Sequence, residues 1–561
     1  MNNKTIARFL KETSALIDLT GGNIFRARAM ENAARTIERL DAAAIDLLQA
    51  GTLTNVKGIG DGLAAQIKEL VQTGSFEVRD ELLGAIPPGV LDMMRIKGLG
   101  AKKVRAIWQQ LEITSIAGLE EACLIGRLAD LDGFGAKTQE NILENIRLLK
   151  QYSAQRRYAD AVVQATPLIE GLRAQFAQVE PAGVFRRKCE TVDRVDLVAV
   201  ADSADVLLSA ASVFLTDAVV AEGSRVTGTL PDGLAVAIHQ AAADRFGAFW
   251  LEQTGSEEHL ADLRSLLGKI PPEADEAAIY ARAGLAWVPP ELREGRGEIE
   301  AAATRLPKLI VHEDLKGSLH NHSRYSDGAN SLEEMAEATR ALGLSYFGIC
   351  DHSQSLVIAN GMPPERVAQQ QEEIRRLNAG YAAQDIKFRI FSGIESDILL
   401  DGSLDYPEEI LASFDFVVAS VHSGLTMPEA EATARLLRAI DNPYTTILGH
   451  PTGRLLLVRE GYFLDYSRIL DACAERGVAI ELNANPYRLD LDWRWIKEAT
   501  DRGILISINP DAHTREGLLD TRWGVEAARK GWLEASMCLN ALSLDAFAAW
   551  LAVPRKKRTR P

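Results

Sequence analysis

The spacing of apolar residues changes along the chain, and each change predicts a different kind of structure. Over residues 4–50 apolar side chains recur every three or four positions, as at Ile6, Phe9 and Leu10, which predicts amphipathic helices. From about residue 313 onward, short apolar runs such as the one at 414–421 alternate with helical patterns. Strands that alternate with helices in this way are typical of a parallel α/β barrel.

These changes, together with the positions of Pro, Gly and charged residues, divide the chain into six segments. Short β-rich runs mix with helical patterns after the first helical region, and the stretch V-P-P-E-L-R-E-G-R-G-E at 288–298 has the composition of a loop or linker. The predicted segments are a helical region at 1–152, a mixed region at 153–242, a second helical region at 243–300, a linker at 301–315, a barrel at 316–553 and a basic tail at 554–561.

A short glycine motif occurs three times in the first helical region. The copies read V-K-G-I-G at 56–60, I-K-G-L-G at 96–100 and L-D-G-F-G at 131–135, and a helical pattern follows each of them. Glycine permits a tight turn, and the helix that follows offers free N–H groups to an anion. A plain turn with a glycine cap would explain one copy, but three copies favour phosphate binding. The residues predicted to bind are Gly58, Gly60, Gly98, Gly100, Lys102, Lys103, Gly133 and Gly135.

Six of the nine histidines lie at or just after the ends of predicted barrel strands. Acidic residues occupy similar positions, and the carboxyl ends of barrel strands meet at one mouth. A hydrogen-bonded loop residue is the simpler interpretation of any one of these side chains, but not of nine together. Imidazole and carboxylate ligands suit divalent ions such as Mn²⁺, Zn²⁺ or Fe²⁺. The predicted metal ligands are His320, His322, Asp327, His352, Glu395, His422, His450, Asp511 and His513.

Composition excludes several classes of protein. The chain has 561 residues, of which 47% are apolar and 25% charged, as in globular rather than disordered proteins. Its five cysteines form no C-x-x-C pair, which argues against a disulfide framework or a thiolate zinc finger. We expect a cytoplasmic protein without membrane contact, because no signal peptide and no long apolar run is present. The net charge is −16, so any contact with nucleic acid must be local.

The barrel motifs resemble those of the PHP (polymerase and histidinol phosphatase) family of metal-dependent phosphoesterases. G-x-L-H-x-H-S-x-x-S-D-G at 317–328 is followed by D-H-S, G-I-E, S-V-H-S, G-H-P and D-A-H. The resemblance implies a distorted (β/α)7 barrel with a trinuclear centre, typically loaded with Mn²⁺, with Zn²⁺, Fe²⁺ or Mg²⁺ as alternatives. Ser318 departs from the family, which usually has an Asp there, and this loss would weaken the orientation of a histidine without removing a ligand.

The same resemblance implies how the ligands divide among three ions. One ion would be held by His320, His322, Glu395 and Asp511, a second by Glu395, His422 and His450, and a third by Asp327, His352 and His513. The catalytic residues implied are His320, His322, Glu395 and Asp511.

The preceding 300 residues resemble family X DNA polymerases, and the whole chain resembles the bacterial members that carry a PHP domain. The glycine repeats resemble the helix-hairpin-helix motif, which grips DNA phosphates without reading sequence. The resemblance implies a multidomain α and α/β protein. Residues 1–152 would bind DNA, residues 153–242 would form an α+β nucleotidyltransferase palm and residues 243–300 would form a thumb.

The palm motif is incomplete in this chain. The family carries G-S-x-R-R, then D-x-D on a strand and a third Asp on a neighbouring strand, and these acids bind two catalytic metals. Here Arg186 remains, Arg194 replaces the first acid, Asp196 survives and Ala237 stands at the third position. An arginine beside a single carboxylate repels a divalent ion at short range. We therefore predict a degenerate polymerase site.

The expected function is a 3′–5′ exonuclease and 3′-end-processing phosphodiesterase in DNA repair. Its partner would be gapped, nicked or primer–template DNA, and we expect a monomer associated with the bacterial nucleoid. Two alternatives stay open. The first is an active gap-filling polymerase with an associated exonuclease, against which Arg194 and Ala237 count. The second is a small-molecule phosphatase, which would have no use for three DNA-binding repeats.

Overall fold

Amphipathic spacing in the first 150 residues produces a set of short helices joined by tight turns. In the computed structural model the chain folds as two compact units, Met1–Ser153 and Ala154–Pro561. The described residues are 1, 3–38, 40, 42–131 and 133–553, so the predicted basic tail at 554–561 lies outside them.

The first unit is helical and has two hydrophobic cores. Residues such as Ile6, Ile37 and Ile67 fill one core, whereas Val104 and Ile146 belong to the other. Its α-helices are Asn3–Thr20, Ile24–Glu38, Ala44–Gln49, Asp61–Thr73, Glu77–Ala85, Pro88–Met93, Ala101–Leu111, Ile116–Leu124 and Ala136–Tyr152, with 3₁₀ turns at Leu53–Asn55 and Arg127–Asp130.

The second unit begins with a small mixed sheet. Its strands are β1 (Arg156–Arg157), β2 (Val179–Ala182), β3 (Thr191–Val192), β4 (Arg194–Val200), β5 (Thr216–Ala221), β6 (Arg225–Thr229) and β7 (Ala235–Ala241). Five of them form a sheet in the order β2-β4-β7-β6-β5, in which only the β4–β7 pair is parallel, and β1 pairs with β3. The accompanying helices are Tyr158–Arg173, Gly183–Arg186, Ala204–Ala211, Phe246–Thr254, Glu257–Leu267, Glu276–Arg282 and Glu298–Ala302.

A seven-stranded parallel barrel follows, as the alternating pattern predicted. Its strands are β8 (Gly317–Ser318), β9 (Tyr346–Ile349), β10 (Arg389–Asp397), β11 (Phe416–Ser420), β12 (Ile447–Leu448), β13 (Ala479–Asn483) and β14 (Ile506–Asn509). They pair in chain order, and a bridge between Asn321 and Ala512 joins the first edge to the last. The barrel helices are Leu332–Ala341, Pro364–Ala383, Glu408–Leu411, Glu429–Asp441, Tyr466–Arg476, Ile496–Asp501, Thr521–Lys530 and Leu544–Ala552.

The barrel strands are buried on both faces, because helices cover the outside and side chains fill the inside. Together with the helical first unit, the barrel confirms the predicted fold class. In the described ranges, none of the helices combines the length and apolar character needed to span a bilayer.

Two stretches that composition assigned to loops or linkers pack tightly in the second unit. Within 288–298, Arg293 is fully buried and forms ion pairs with Glu276. Within 301–315, Ile310 belongs to the barrel core and its N–H donates to the carbonyl of Leu533 at 2.9 Å. A polar sequence therefore lies inside the protein here, because specific partners satisfy its charges.

Candidate metal centre and DNA-binding elements

The barrel brings all nine predicted ligand side chains together at the carboxyl ends of its strands. Each strand supplies residues at the point where it ends, because parallel strands all open towards the same rim. The pair His320 and His322 follows β8, and Glu395 lies near the end of β10. The remaining side chains follow β8, β9, β11, β12 and β14 and are Asp327, His352, His422, His450, Asp511 and His513.

Glu395 stands at the centre of this group. Its Oε1 lies 3.0 Å from Nε2 of His450, 3.2 Å from Nε2 of His422 and 3.3 Å from Nε2 of His320. Its Oε2 lies 2.8 Å from Nδ1 of His352. Burial by itself would raise the pKa of Glu395, but the surrounding histidines, His422 foremost, hold that pKa well below its usual range. The carboxylate is therefore ionised.

Asp327 and Asp511 anchor the other side of the site. Oδ1 of Asp327 lies 3.3 Å from Nε2 of His513 and 3.6 Å from Nε2 of His352. Oδ1 of Asp511 lies 3.0 Å from Nε2 of His322, whose ring stacks on that of His513 with centroids 4.1 Å apart. Burial and the neighbouring charges of His513 and His352 lower the pKa of His322 to about 3, so its ring is neutral and free to ligate.

These residues fit a cluster of divalent ions. Three sets have ligand atoms close enough to share one ion: His322, Asp327, His352 and His513; His320, His322 and Glu395; and His352, Glu395 and His422. Several buried polar atoms at the centre have no hydrogen-bond partner among the described residues, namely Nε2 of His320, both ring nitrogens of His322, Nδ1 of His352 and Oε2 of Glu395. Such atoms are costly to bury unless a cation satisfies them.

The observed sets differ in detail from the division that the family resemblance implies. The set that contains Glu395 and His422 has His352 as its third member, whereas the implied division gives the same two residues His450 as their third. His322 also joins the set around Asp327. His352 lies close to two carboxylates, with Nδ1 2.8 Å from Oε2 of Glu395 and Nε2 3.6 Å from Oδ1 of Asp327.

Sequence reasoning missed two acidic residues that hold the histidines from behind. Glu481 Oε2 lies 2.6 Å from Nδ1 of His320, and Asp397 accepts a short hydrogen bond from Nδ1 of His422. The available signal was an acidic side chain inside an otherwise apolar strand, since both residues lie within strands. Ser318, at the position where the family usually has Asp, donates to Asn321 at 3.2 Å, and Glu481 contacts His320.

The small mixed sheet carries the one remaining acid of the predicted polymerase motif, Asp196, and this acid has cationic or imidazole partners. Asp196 Oδ1 accepts a hydrogen bond from Nε of Arg194 at 2.9 Å and lies 3.2 Å from Nε2 of His239. Burial would raise the pKa of Asp196, but the hydrogen bonds from His239 and Arg194 lower it overall. Ala237 pairs with Asp196 across the β4–β7 ladder, so the side chain beside this carboxylate is a methyl group.

Arg186, which the predicted polymerase motif retains, is bound within the protein. Its two terminal nitrogens bind the two carboxylate oxygens of Glu276 at 2.6 and 2.8 Å, and its guanidinium lies 3.3 Å from the centre of the Trp250 ring. Only 8% of the Arg186 side chain is exposed, and Arg293 completes the buried ion pairing. The guanidinium is thus part of the protein core.

The three glycine motifs share one backbone geometry. Gly58, Gly98 and Gly133 have φ values of +94°, +87° and +82°, which favour glycine. Two residues later, an extended glycine forms the N-cap of the helix without a capping side chain; these residues are Gly60, Gly100 and Gly135. The first-turn N–H groups of the helices are therefore open to an anion.

The charges around the motifs are not equal. Lys102 and Lys103 lie in the first turn after the second motif, and Lys137 lies in the first turn after the third. The first motif is followed by Asp61 instead. The second and third motifs therefore suit phosphate better than the first.

Comparisons with known proteins agree with these features. A helix-hairpin-helix domain model matches residues 1–76, a SAM-like helix-hairpin-helix tandem model matches residues 90–147, and a PHP domain model matches residues 318–485. The DNA polymerase/3′-5′ exonuclease PolX of Bacillus subtilis (strain 168) is 34% identical over 575 residues, covering 98% of this chain and 99% of that protein. Probable phosphatases of Acetivibrio thermocellus and Vibrio campbellii are each 29% identical, over 35% and 36% of this chain and 78% of each relative.

The barrel and its rim of histidines and carboxylates define a PHP-type phosphoesterase joined to helix-hairpin-helix DNA-binding domains. Enzymes of this type depend on metal ions, and the histidine and carboxylate cluster is suited to hold them. The chain belongs to the PolX family of bacterial proteins, since the similarity extends over nearly its whole length.

Proposed function

We propose that this chain is a metal-dependent 3′–5′ exodeoxyribonuclease and 3′-end-processing phosphodiesterase in DNA repair, with polymerase activity absent or very weak. The observation that carries the proposal is a contrast between two sites. Glu395 and the eight other predicted ligand side chains cluster at the barrel rim, whereas Asp196 is the one remaining acid of the predicted polymerase motif and is hydrogen-bonded to Arg194. The name of the Bacillus subtilis relative, DNA polymerase/3′-5′ exonuclease, supports the nuclease part.

The metal centre would hold three divalent ions, and Mn²⁺ suits its mixture of imidazoles and carboxylates. The residues that would hold them are His320, His322, Asp327, His352, Glu395, His422 and His513, together with His450, which lies 3.0 Å from Glu395, and Asp511, which lies 3.0 Å from His322. Ions at such a site lower the pKa of an attacking water and polarise the phosphodiester. Glu395 contributes most to their placement, because both of its oxygens face imidazole nitrogens from different strands.

The chain's own cations would bind the substrate. Arg488 lies at the same rim, with Nε 3.7 Å from Oδ2 of Asp511 and a side chain that is 21% exposed. No other ion pair or side-chain hydrogen bond of Arg488 occurs among the described residues. Its guanidinium is therefore available to a phosphate oxygen next to the metal centre, where bidentate hydrogen bonds orient the strand.

DNA is the substrate that the first unit supports. The uncapped helix N-termini after Gly100 and Gly135 bind phosphates irrespective of sequence, and Lys102 and Lys103 add positive charge. We propose gapped, nicked or primer–template DNA, because sequence-independent backbone contacts suit repair intermediates. The probable phosphatases match only about a third of this chain. The other two thirds, which include the glycine motifs, distinguish this chain from those phosphatases.

A gel assay on a labelled primer–template with Mn²⁺ and all four nucleotides tests the proposal. The wild type is expected to shorten the primer, and the His320→Ala/His322→Ala double variant is expected to leave it intact. Lengthening of the primer, most visibly in the double variant, would show an active polymerase with a proofreading nuclease. Hydrolysis of a small phosphomonoester without any action on the primer would instead indicate a small-molecule phosphatase.

A further inference from the structure

Glu481 is a buried carboxylate that accepts four hydrogen bonds behind the metal centre. It lies in β13 and has no exposed surface. Its Oε1 accepts from the backbone N–H of His450 at 3.1 Å and from Nδ2 of Asn483 at 3.0 Å. Its Oε2 accepts from Nδ1 of His320 at 2.6 Å and from Nδ2 of Asn509 at 2.7 Å. Both oxygens therefore have two donors each, which is the full capacity of a carboxylate.

The contact with His320 determines which ring nitrogen of this histidine faces the centre. Because Glu481 can only accept, the proton of His320 must reside on Nδ1. Nε2 then points the other way, to 3.3 Å from Oε1 of Glu395 and 3.8 Å from Oδ1 of Asp511. Two carboxylates then face Nε2, and a metal ion bound between them and this nitrogen would offset their mutual repulsion.

The contact with His450 fixes a second ligand through the backbone. The N–H of His450 is bound by Glu481, and the Nε2 atom of the same residue lies 3.0 Å from Oε1 of Glu395. One carboxylate thus links the loop after β8 and the loop after β12 to β13. Both histidines direct Nε2 at the same oxygen of Glu395 as a result.

We propose that Glu481 is a positioning residue of the metal centre: it fixes the Nδ1–H form of His320 and the backbone of His450, so that both Nε2 atoms face Oε1 of Glu395, where the metal ions would bind. This inference rests on the metal centre proposed above. Outer carboxylates that bind a ligating histidine raise metal affinity, and their loss typically costs about 10- to 100-fold in affinity. If Glu481 only stabilised the barrel, its loss would lower thermal stability without a specific loss of metal affinity.

The test compares Glu481→Gln with the wild type. A glutamine has nearly the same shape, but its NH₂ group cannot accept, so the two donors that face the replaced oxygen lose their partner. Asp415→Asn is the matched control, because Asp415 precedes β11 at the opposite end of the barrel, and its Oδ2 accepts the N–H of Ser392 at 2.8 Å. The readouts are Mn²⁺ affinity by calorimetric titration, the visible spectrum of the Co²⁺-loaded protein, and thermal unfolding in EDTA.

We expect Glu481→Gln to lower Mn²⁺ affinity by about 10- to 100-fold and to change the Co²⁺ spectrum, with the control unchanged in both. Unchanged affinity and spectrum in Glu481→Gln would overturn the inference. The inference would also be overturned if Glu481→Gln and Asp415→Asn lost Mn²⁺ affinity equally, in proportion to their loss of thermal stability in EDTA. If Glu481→Gln fails to fold, Glu481→Asp is the second variant. It keeps the carboxylate but shortens the side chain by one methylene group, and the same loss of Mn²⁺ affinity is expected. Failure of the wild type to bind Mn²⁺ would contradict the proposed function itself.

Discussion

The side chain of Arg194 donates from Nε to Oδ1 of Asp196, two residues further along the same strand, at 2.9 Å. Arg194 stands where the predicted polymerase motif has its first acid, so a cation is paired with the one acid of that motif that remains. Ala237, opposite Asp196 on β7, removes the third acid. This part of the small mixed sheet therefore presents one carboxylate, which is already paired with a cation.

Restoring the two acids is expected to create a metal site without creating a polymerase. In the His320→Ala/His322→Ala background, the Arg194→Asp/Ala237→Asp variant should bind Mn²⁺ at least about tenfold more tightly, because three carboxylates replace one neutralised carboxylate. Nucleotide addition should stay absent, since Arg186 remains bound to Glu276. Calorimetric titration and primer extension measure the two effects.

The matched control is Arg194→Asn/Ala237→Asn, which changes side-chain size in the same way without adding charge. It should show no gain in Mn²⁺ affinity. Template-directed nucleotide addition by the wild type, abolished by Asp196→Ala, would contradict this account of the palm.

Glu276 makes the stability of the second unit depend on pH in the acidic range. Burial opposes its ionisation, but hydrogen bonds from Arg186 and Arg293 lower the pKa of Glu276 from 4.5 to about 2. A lowered folded-state pKa stabilises the protein fully above the unfolded pKa, and this contribution is lost as the pH falls from 4.5 towards 2. Its size is about 3 kcal/mol, from about 1.4 kcal/mol per pKa unit.

Urea unfolding of the wild type and Glu276→Gln between pH 6 and pH 3 measures this linkage. The variant should be about 3–5 kcal/mol less stable at pH 6, because Arg186 and Arg293 would be left as buried charges without a partner. The difference should shrink as the pH falls. Glu372→Gln, whose carboxylate is exposed and pairs with Arg375, is the control and should show neither effect. A difference that is independent of pH would refute the role of the Glu276 charge.

Mn²⁺ should stabilise the folded second unit through the barrel site alone. At a free concentration about 100 times the dissociation constant, one bound ion contributes about 2.7 kcal/mol to the free energy of unfolding. Thermal unfolding with and without Mn²⁺ should therefore show a higher midpoint for the wild type and no shift for His320→Ala/His322→Ala.

His312→Ala is the matched control, because His312 contacts Thr521 and belongs to none of the three ligand sets. It should keep the full Mn²⁺-dependent shift. A shift of wild-type size in the double variant would mean that Mn²⁺ stabilises the protein from another place.

The sequence predicted the barrel and the cluster of histidines and carboxylates at its rim because both follow simple patterns. Strand ends are recognisable from alternating apolar runs, and a histidine at each of several strand ends is unusual for a structural barrel. Glu481 did not stand out, since it lies within a strand and its meaning depends on His320, 161 residues away in the chain. Its role required the three-dimensional neighbours.

The polar stretch at 288–298 shows the limit of composition as a guide. Arg293 resembles a linker residue in the sequence, but Glu276 neutralises it in the interior at 2.8 Å. The partner of Arg186 was equally hidden: nothing in the segment around Arg186 shows that Glu276, 90 residues later, binds it. Long-range ion pairs are set by packing, which local patterns do not encode.

The glycine motifs allow DNA binding to be separated from folding. Gly98 is unsuited to this purpose, because its φ of +87° strains any other residue. Gly100 is suited to it: its φ is −76°, a Cβ there meets no atom within 4 Å, and it is the N-cap of the helix that carries Lys102 and Lys103. Asp is a preferred N-cap residue, so Gly100→Asp should fold at least as stably as the wild type.

The same aspartate would place a negative charge where a phosphate is expected to bind. We therefore expect Gly100→Asp to weaken binding to duplex DNA by about tenfold, while hydrolysis of a small phosphodiester by the barrel stays unchanged. Gly60→Asp is the matched control, because its helix already carries Asp61 in the first turn and should contribute less to phosphate binding. Fluorescence anisotropy with labelled DNA at two salt concentrations measures the effect. Equal weakening by the two variants would show that the first motif binds DNA as well as the second, and unchanged binding by both would place the DNA on another surface.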